Sequence, residues 1–218
     1  MDVKHASSKQ INSVMGRMVE HQSIFNKMSV VDAQWAFQNP NAWMHLCLEA
    51  MKKRKTVDVI FETEYLNLIS DGETLIIDKC DGKRIISDAT EIISYVDSDF
   101  RNWKADQVGQ ATPDMLVSVF EQTKDGTYAD IFGSILNEKD RLCLTQDQII
   151  GFVVKYRHWL RTDGYGTFFM FKSNGNHFVA RVSFDSDGTL RVRVHELGRD
   201  SRWSAEFPPR FVVPQLVA

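Results

Sequence analysis

Trp159-Leu-Arg-Thr-Asp-Gly-Tyr-Gly-Thr-Phe-Phe-Met-Phe-Lys172 is the stretch whose reading decides the fold, because it joins the clearest helical pattern in the chain to the clearest strand pattern. Upstream of it, Thr145-Gln-Asp-Gln148 has the form of a capping box, flanked by Leu144 and Ile149 as a hydrophobic staple. Ile149, Phe152, Val153, Tyr156 and Leu160 then fall on one stripe at helical spacing, and Asp163-Gly164 ends the helix. Downstream, residues 166–172 are apolar at both alternating sets of positions, which predicts a strand that is central or covered by the helix.

Two hairpins follow. Asn174-Gly175 is a type I′ turn signal. Phe178, Ala180, Val182 and Phe184 alternate with Val179, Arg181 and Ser183; after Asp185-Ser-Asp-Gly188, Leu190, Val192 and Val194 alternate with Arg191, Arg193 and His195. A plain four-residue loop would set apolar positions against basic ones. A bulge at Gly188 absorbs one residue and restores the match. On that register Arg181, Arg191, Arg193, His177 and His195 share one face of the sheet. Arg210-Phe-Val-Val213, bracketed by Pro208, Pro209 and Pro214, reads as an edge strand, with Trp203 covering the core.

Working outward, residues 8–27 have a helical apolar face of Ile11, Val14, Met15, Met18 and Phe25. Ser29 caps a second helix that runs to Gln38. Asn39-Pro40 restarts a third helix, which closes in Lys52-Lys53-Arg54-Lys55. From Thr56 the pattern becomes strand-like, and the turn signals at Asp71-Gly72 and Asp81-Gly82 predict an antiparallel meander up to Val96. Asp97, Asp99 and Glu91 read as surface carboxylates. Thr112-Pro-Asp114 has the order of a helix start, with Leu116, Val119 and Phe120 facing inward and Gly126 as the stop; Tyr128 to Leu136 reads as a further short helix. The expected class is α+β: N-terminal helices and a meander over residues 1–107, then helices packed on a second antiparallel sheet of two hairpins over residues 108–218, able to pack as one domain.

The chain has 218 residues, 43% of them hydrophobic, and a net charge of −3, so it is neither disordered nor generally cationic. Charge is uneven, however: residues 151–218 hold 10 basic and 6 acidic side chains, a net of +4. Cys47, Cys80 and Cys143 lack the spacing of a disulfide framework or zinc knuckle, which points to reduced thiols. With no apolar run near the ~20 residues of a membrane helix and no leader-like N-terminus, a soluble cytoplasmic protein without a membrane partner is expected.

Catalytic signatures are absent from the sequence: no Gly-x-Ser-x-Gly elbow, HExxH or Walker loop occurs. Gly164-x-Gly166 sits between helix and strand, the reverse of a phosphate loop. Gly164-Tyr165-Gly166 with Phe168, Phe169 and Phe171 is similar to an RNA-binding strand signature, but Asp163 replaces its basic residue and Thr167 one of its aromatics. Packed core aromatics are the expected reading. His177 and His195 could meet across the hairpin, but no third ligand is evident, so no metal and no cofactor is predicted.

Ile92-Ile-Ser-Tyr-Val96, Phe100-x-x-Trp103 and residues 160–169 together resemble small bacterial and mobile-element proteins of no known activity. The resemblance implies a bacterial accessory protein and carries no site residues with it. The functional expectation is a non-enzymatic accessory protein that binds another macromolecule, foremost a protein. A nucleic-acid-binding module is the first alternative, and a hydrolase whose residues converge only in space is the second. The candidate binding residues are Arg181, Arg191, Arg193, His177 and His195 on the sheet, with Lys52, Lys53, Arg54 and Lys55. Three phosphate contacts to a single strand would give a salt slope of only about −2, too shallow for tight non-specific binding.

Overall fold

The computed structural model describes residues 29–53, 57–58, 63–163 and 165–217. The chain divides into two units, Met1–Thr56 and Val57–Ala218. In the first, α1 (Val30–Gln38) is capped by Ser29, whose hydroxyl accepts the Asp32 amide at 3.1 Å. Asn39 breaks the helix and its carbonyl receives the Trp43 amide, opening α2 (Pro40–Lys53) at a proline that needs no donor. The helix expected over residues 8–27 lies outside the described residues.

The second unit is built on one eight-stranded mixed sheet. In chain order its strands are β2 (Leu66–Leu68), β3 (Leu75–Ile77), β4 (Tyr95–Val96), β5 (Met115–Gln122), β7 (Thr167–Ser173), β8 (Asn176–Phe184), β9 (Leu190–Glu196) and β11 (Arg210–Pro214). Their spatial order is β2-β5-β11-β7-β8-β9-β4, with β3 also on β5. Two small pairs stand apart: β1 (Val57–Asp58) with β12 (Leu216–Val217), and β6 (Gly126–Thr127) with β10 (Arg202–Trp203).

The fold is α+β, and β7 lies in the sheet interior, as its two-faced apolar pattern requires. Phe169 and Phe171 join the core on one face, under the helix Gln146–Lys155. Phe168 and Met170 join the core on the other, under the helix Tyr128–Ile135. With the short Asp99–Asn102 helix labelled α3, these are α5 and α4 respectively. All four side chains are fully buried, each contributing about 1.5–3 kcal/mol. Ring packing fixes their positions: Phe152 of α5 meets Phe169 edge-on at 5.4 Å, and Tyr128 of α4 meets Phe168 at 5.3 Å.

The turn chemistry holds. Asn174 (φ 48°) and Gly175 (φ 80°) form the type I′ turn between β7 and β8. Beyond the loop at Gly188 the register is Phe184 with Leu190 and Arg181 with Arg193, the bulged alignment rather than the plain one. The capping box closes as expected: the Thr145 hydroxyl accepts the Gln148 amide and Gln148 Oε1 accepts the Thr145 amide. Its two middle residues do more than cap. Asp147, only 2% exposed, accepts the Gly82 amide at 2.9 Å and Arg84 Nε at 2.5 Å. Gln146 bonds the Ile86 amide and the Ala105 and Gln107 carbonyls. The helix end thereby anchors the long irregular crossing from β3 to β5.

Three sequence expectations need correction. The segment after Thr112 is a strand, β5, not a helix. It has sheet neighbours on both sides and buries both faces, Val117 and Val119 on one and Phe120 on the other, which mimics helical spacing. Asp114 accepts the Lys79 amide instead of capping a helix. The first-half strands do not form their own meander: Asp71-Gly72 interrupts two collinear pieces, β2 and β3, which both pair with β5, and β4 runs parallel to β9 at the far edge. β11 is interior, between β5 and β7, because its prolines sit at or beyond the ends of the paired run. The boundary expected at 107/108 consequently falls within a single sheet.

At Gly166 (φ 105°) a Cβ would lie 2.5 Å from the Val182 carbonyl oxygen. Gly166→Ala should lower unfolding free energy by about 2–3 kcal/mol. Gly188→Ala, at positive φ with open space around it, should lower it by about 1 kcal/mol. Asp147→Ala strands the buried Gly82 amide and should lower it by about 2–3 kcal/mol. Urea unfolding curves measure all three.

Candidate functional site

The two faces of the sheet are finished differently. On the α5 face, apolar residues continue across β8 and β9 through Phe178, Ala180, Val182, Leu190, Val192 and Val194. On the α4 face the apolar cover reaches only Val179 of β8 and Leu197 just after β9, and the alternation of β8 and β9 presents Arg181, Arg191, Arg193 and His195. Antiparallel register puts Arg181 directly opposite Arg193, Ser183 opposite Arg191, and Val179 opposite His195. The shared face expected from sequence is therefore present.

Three of those residues line a cleft of about 380 Å³: Arg181, Arg193 and His195. The turn after β9 adds Arg199 and Ser201, β10 adds Arg202 and Trp203, and the segment after β4 adds Asp97. Trp203 is brought there by the pairing of β10 with β6, and it packs on Phe168 at 4.9 Å and Tyr165 at 5.1 Å. Arg181 lies over the Trp203 ring at 5.3 Å and donates its Nε hydrogen to the Tyr165 carbonyl. Burial, with Arg193 nearby, pushes its guanidinium down from the usual value. Arg193 has no hydrogen-bond or ion-pair partner among the described residues. Like charges directly opposite one another destabilise a sheet, and Asp97 is the one carboxylate in the lining among the described residues.

His195 is 9% exposed, and its Nδ1 accepts a hydrogen bond from Arg199 Nη1 at 3.1 Å. An arginine cannot accept, so Nδ1 is the bare nitrogen and the proton sits on Nε2. That Nε2–H has no partner, and neither do the buried Tyr128 hydroxyl and Trp203 indole nitrogen. The three rings touch, with centroids 5.3–5.9 Å apart. Burial pushes the Tyr128 phenol up. Burial, with Arg199 and Arg181 beside it, pushes the His195 imidazole down to about 4. A buried polar group without a partner costs about 1–3 kcal/mol; of these residues His195 and Trp203 line the cleft and Tyr128 does not.

The other predicted site residues lie elsewhere. His177 pairs with Lys172 across β7 and β8, and both hold Asp140, at 2.6 and 2.7 Å. Arg191 is drawn to Asp185 at 3.1 Å and lies over the exposed Tyr95 ring at 4.7 Å. Lys52 and Lys53 close α2 in the first unit, and Arg54 and Lys55 lie outside the described residues. Sequence reading missed Arg199, Ser201 and Arg202, and gave Trp203 only a core-covering role. The signal was Gly198-Arg-Asp-Ser-Arg-Trp203, two arginines in a turn directly after the arginine strand. Asp97, read as a surface carboxylate, is the acid of the cleft.

An imidazole neutral in the folded chain down to about pH 4 but protonated near 6.5 when unfolded withdraws stability as pH falls through that window, since the unfolded state binds the extra proton. The loss is of the order of 3 kcal/mol. His195→Gln should remove this part of the acid sensitivity, measured as the difference in unfolding free energy between pH 7 and pH 4.5.

No family model, curated protein or solved structure matches the chain.

Proposed function

We propose that this is a non-enzymatic binding protein that receives an acidic group of a partner protein in the cleft of Arg181, Arg193 and Arg199. The observation that carries this reading is the Arg181–Arg193 cross-strand pair, set in a concavity where, among the described residues, Asp97 is the one lining acid and Arg193 has no partner. An anionic ligand relieves a repulsion that the sequence could have avoided with any neutral residue. Concavity with a few convergent polar groups is the usual form of a binding site.

The cleft is better suited to binding than to proton transfer. His195 is held by an arginine rather than a carboxylate, and the Ser201 hydroxyl bonds Arg199 Nε rather than the imidazole. The Cys143 thiol is pushed up to about 12 by burial, which keeps it from being a thiolate nucleophile. Arg191 stacked on Tyr95 beside the cleft favours nucleic acid as a second reading, since bases stack on such pairs. Against it, Phe168, Phe169 and Phe171 are fully buried, and Trp203 is covered by Arg181, Tyr165 and Phe168.

Amide NMR titrations with a glutamate-rich nonapeptide and with single-stranded oligothymidylate, at equal ionic strength, test this. The peptide should shift resonances around Arg181, Arg193 and Arg199, and Arg193→Glu should weaken binding at least tenfold. Cleft shifts produced only by the oligonucleotide, or peptide binding indifferent to Arg193→Glu, would sink the reading.

A further inference from the structure

We infer that the acidic group for which the cleft is built is a phosphate monoester carried on a side chain of the partner, rather than a carboxylate. This rests on the anion-binding reading above and names the ligand of the same site.

The first argument is the donor count. The Arg193 guanidinium has no partner among the described residues, which leaves its N–H groups unspent. Arg181 uses only Nε, leaving its two terminal nitrogens. Arg199 spends Nη1 on His195 and Nε on Ser201, leaving Nη2. The Ser201 oxygen accepts from Arg199, so its own proton is free to donate. His195 lines the same cavity, although its buried Nε2–H, unpartnered among the described residues, is not open to it. These donors come from β8, β9 and the following turn, three directions around one cavity. A carboxylate has two oxygens in one plane. A phosphate monoester has three terminal oxygens in a tetrahedral array and accepts from all sides.

The second argument is charge. Four guanidinium groups and one carboxylate line the cleft, and His195 is neutral. A monoester near −2 balances that excess better than a single carboxylate. All four cations are arginines, whose planar forks match phosphate oxygens. A nucleic-acid backbone diester offers only two free oxygens and one charge, and it comes with bases, whereas Trp203, the aromatic in the lining, is packed against Arg181, Tyr165 and Phe168.

The experiment is an NMR titration of the full chain with inorganic phosphate, phenyl phosphate and acetate at fixed ionic strength, following the Trp203 indole N–H and the His195 ring. Saturable phosphate binding at least tenfold tighter than acetate is expected, lost on Arg193→Met and weakened severalfold by Ser201→Ala. Both positions are solvent-accessible, and the amide spectrum of each variant reports its fold. Phosphate and acetate of equal affinity would overturn the phosphate assignment while leaving an anion cleft. No saturable binding of either ion would overturn both. A second arm compares an alanine-flanked phosphoserine pentapeptide with a 5′-phosphorylated oligothymidylate, each beside its unphosphorylated form. Binding of the phosphopeptide alone supports the protein source; binding of the oligonucleotide alone overturns it.

Discussion

Burial of β7 on both faces is the constraint on which the rest of this unit depends. Phe168 and Met170 point one way and Phe169 and Phe171 the other, so each face needs an apolar cover. Helix α5 supplies one and α4 the other. Because β7 must also be hydrogen-bonded along both edges, β8 takes one side and β11 the other, the latter in parallel. Chain from both halves of the sequence is thereby drawn into one sheet.

The same constraint shapes the cleft. The α5 cover extends over β8 and β9, whereas the α4 cluster reaches only Val179 and Leu197 at one end of that pair. From that limit outward the α4 face is finished with arginines, and Trp203 closes the boundary between apolar and cationic surface. A sheet face of this kind is ordinary where it is solvated. It is less ordinary where two arginines oppose each other across strands in a cleft with a single lining carboxylate among the described residues.

Much of this was legible in the sequence, for local reasons. Asn174-Gly175 fixes its turn by left-handed conformations at both central positions, and Gly188 fixes the register that aligns Arg181 with Arg193. Thr145 and Gln148 cap α5 by contacts within one turn. What was hidden is non-local. Leu116, Val119 and Phe120 read as a helix stripe because a strand buried on two faces can imitate one. Nothing near Leu66 or Leu75 shows that both pair with β5 rather than each other. The cleft was half legible: strand alternation exposed Arg181 and Arg193, but Asp97 and Trp203 reach it only through tertiary contacts.

The central claim is that the opposed arginines are kept at a cost in stability because they serve an anion. Thermal unfolding of the protein and its Arg193→Met variant, with and without a few millimolar inorganic phosphate, tests it most directly. The variant should be more stable than the parent without phosphate, since the cross-strand repulsion is gone. Only the parent should gain stability on adding phosphate, because only its folded state binds the ion. A variant that is less stable than the parent, yet gains equally from phosphate, would contradict the account.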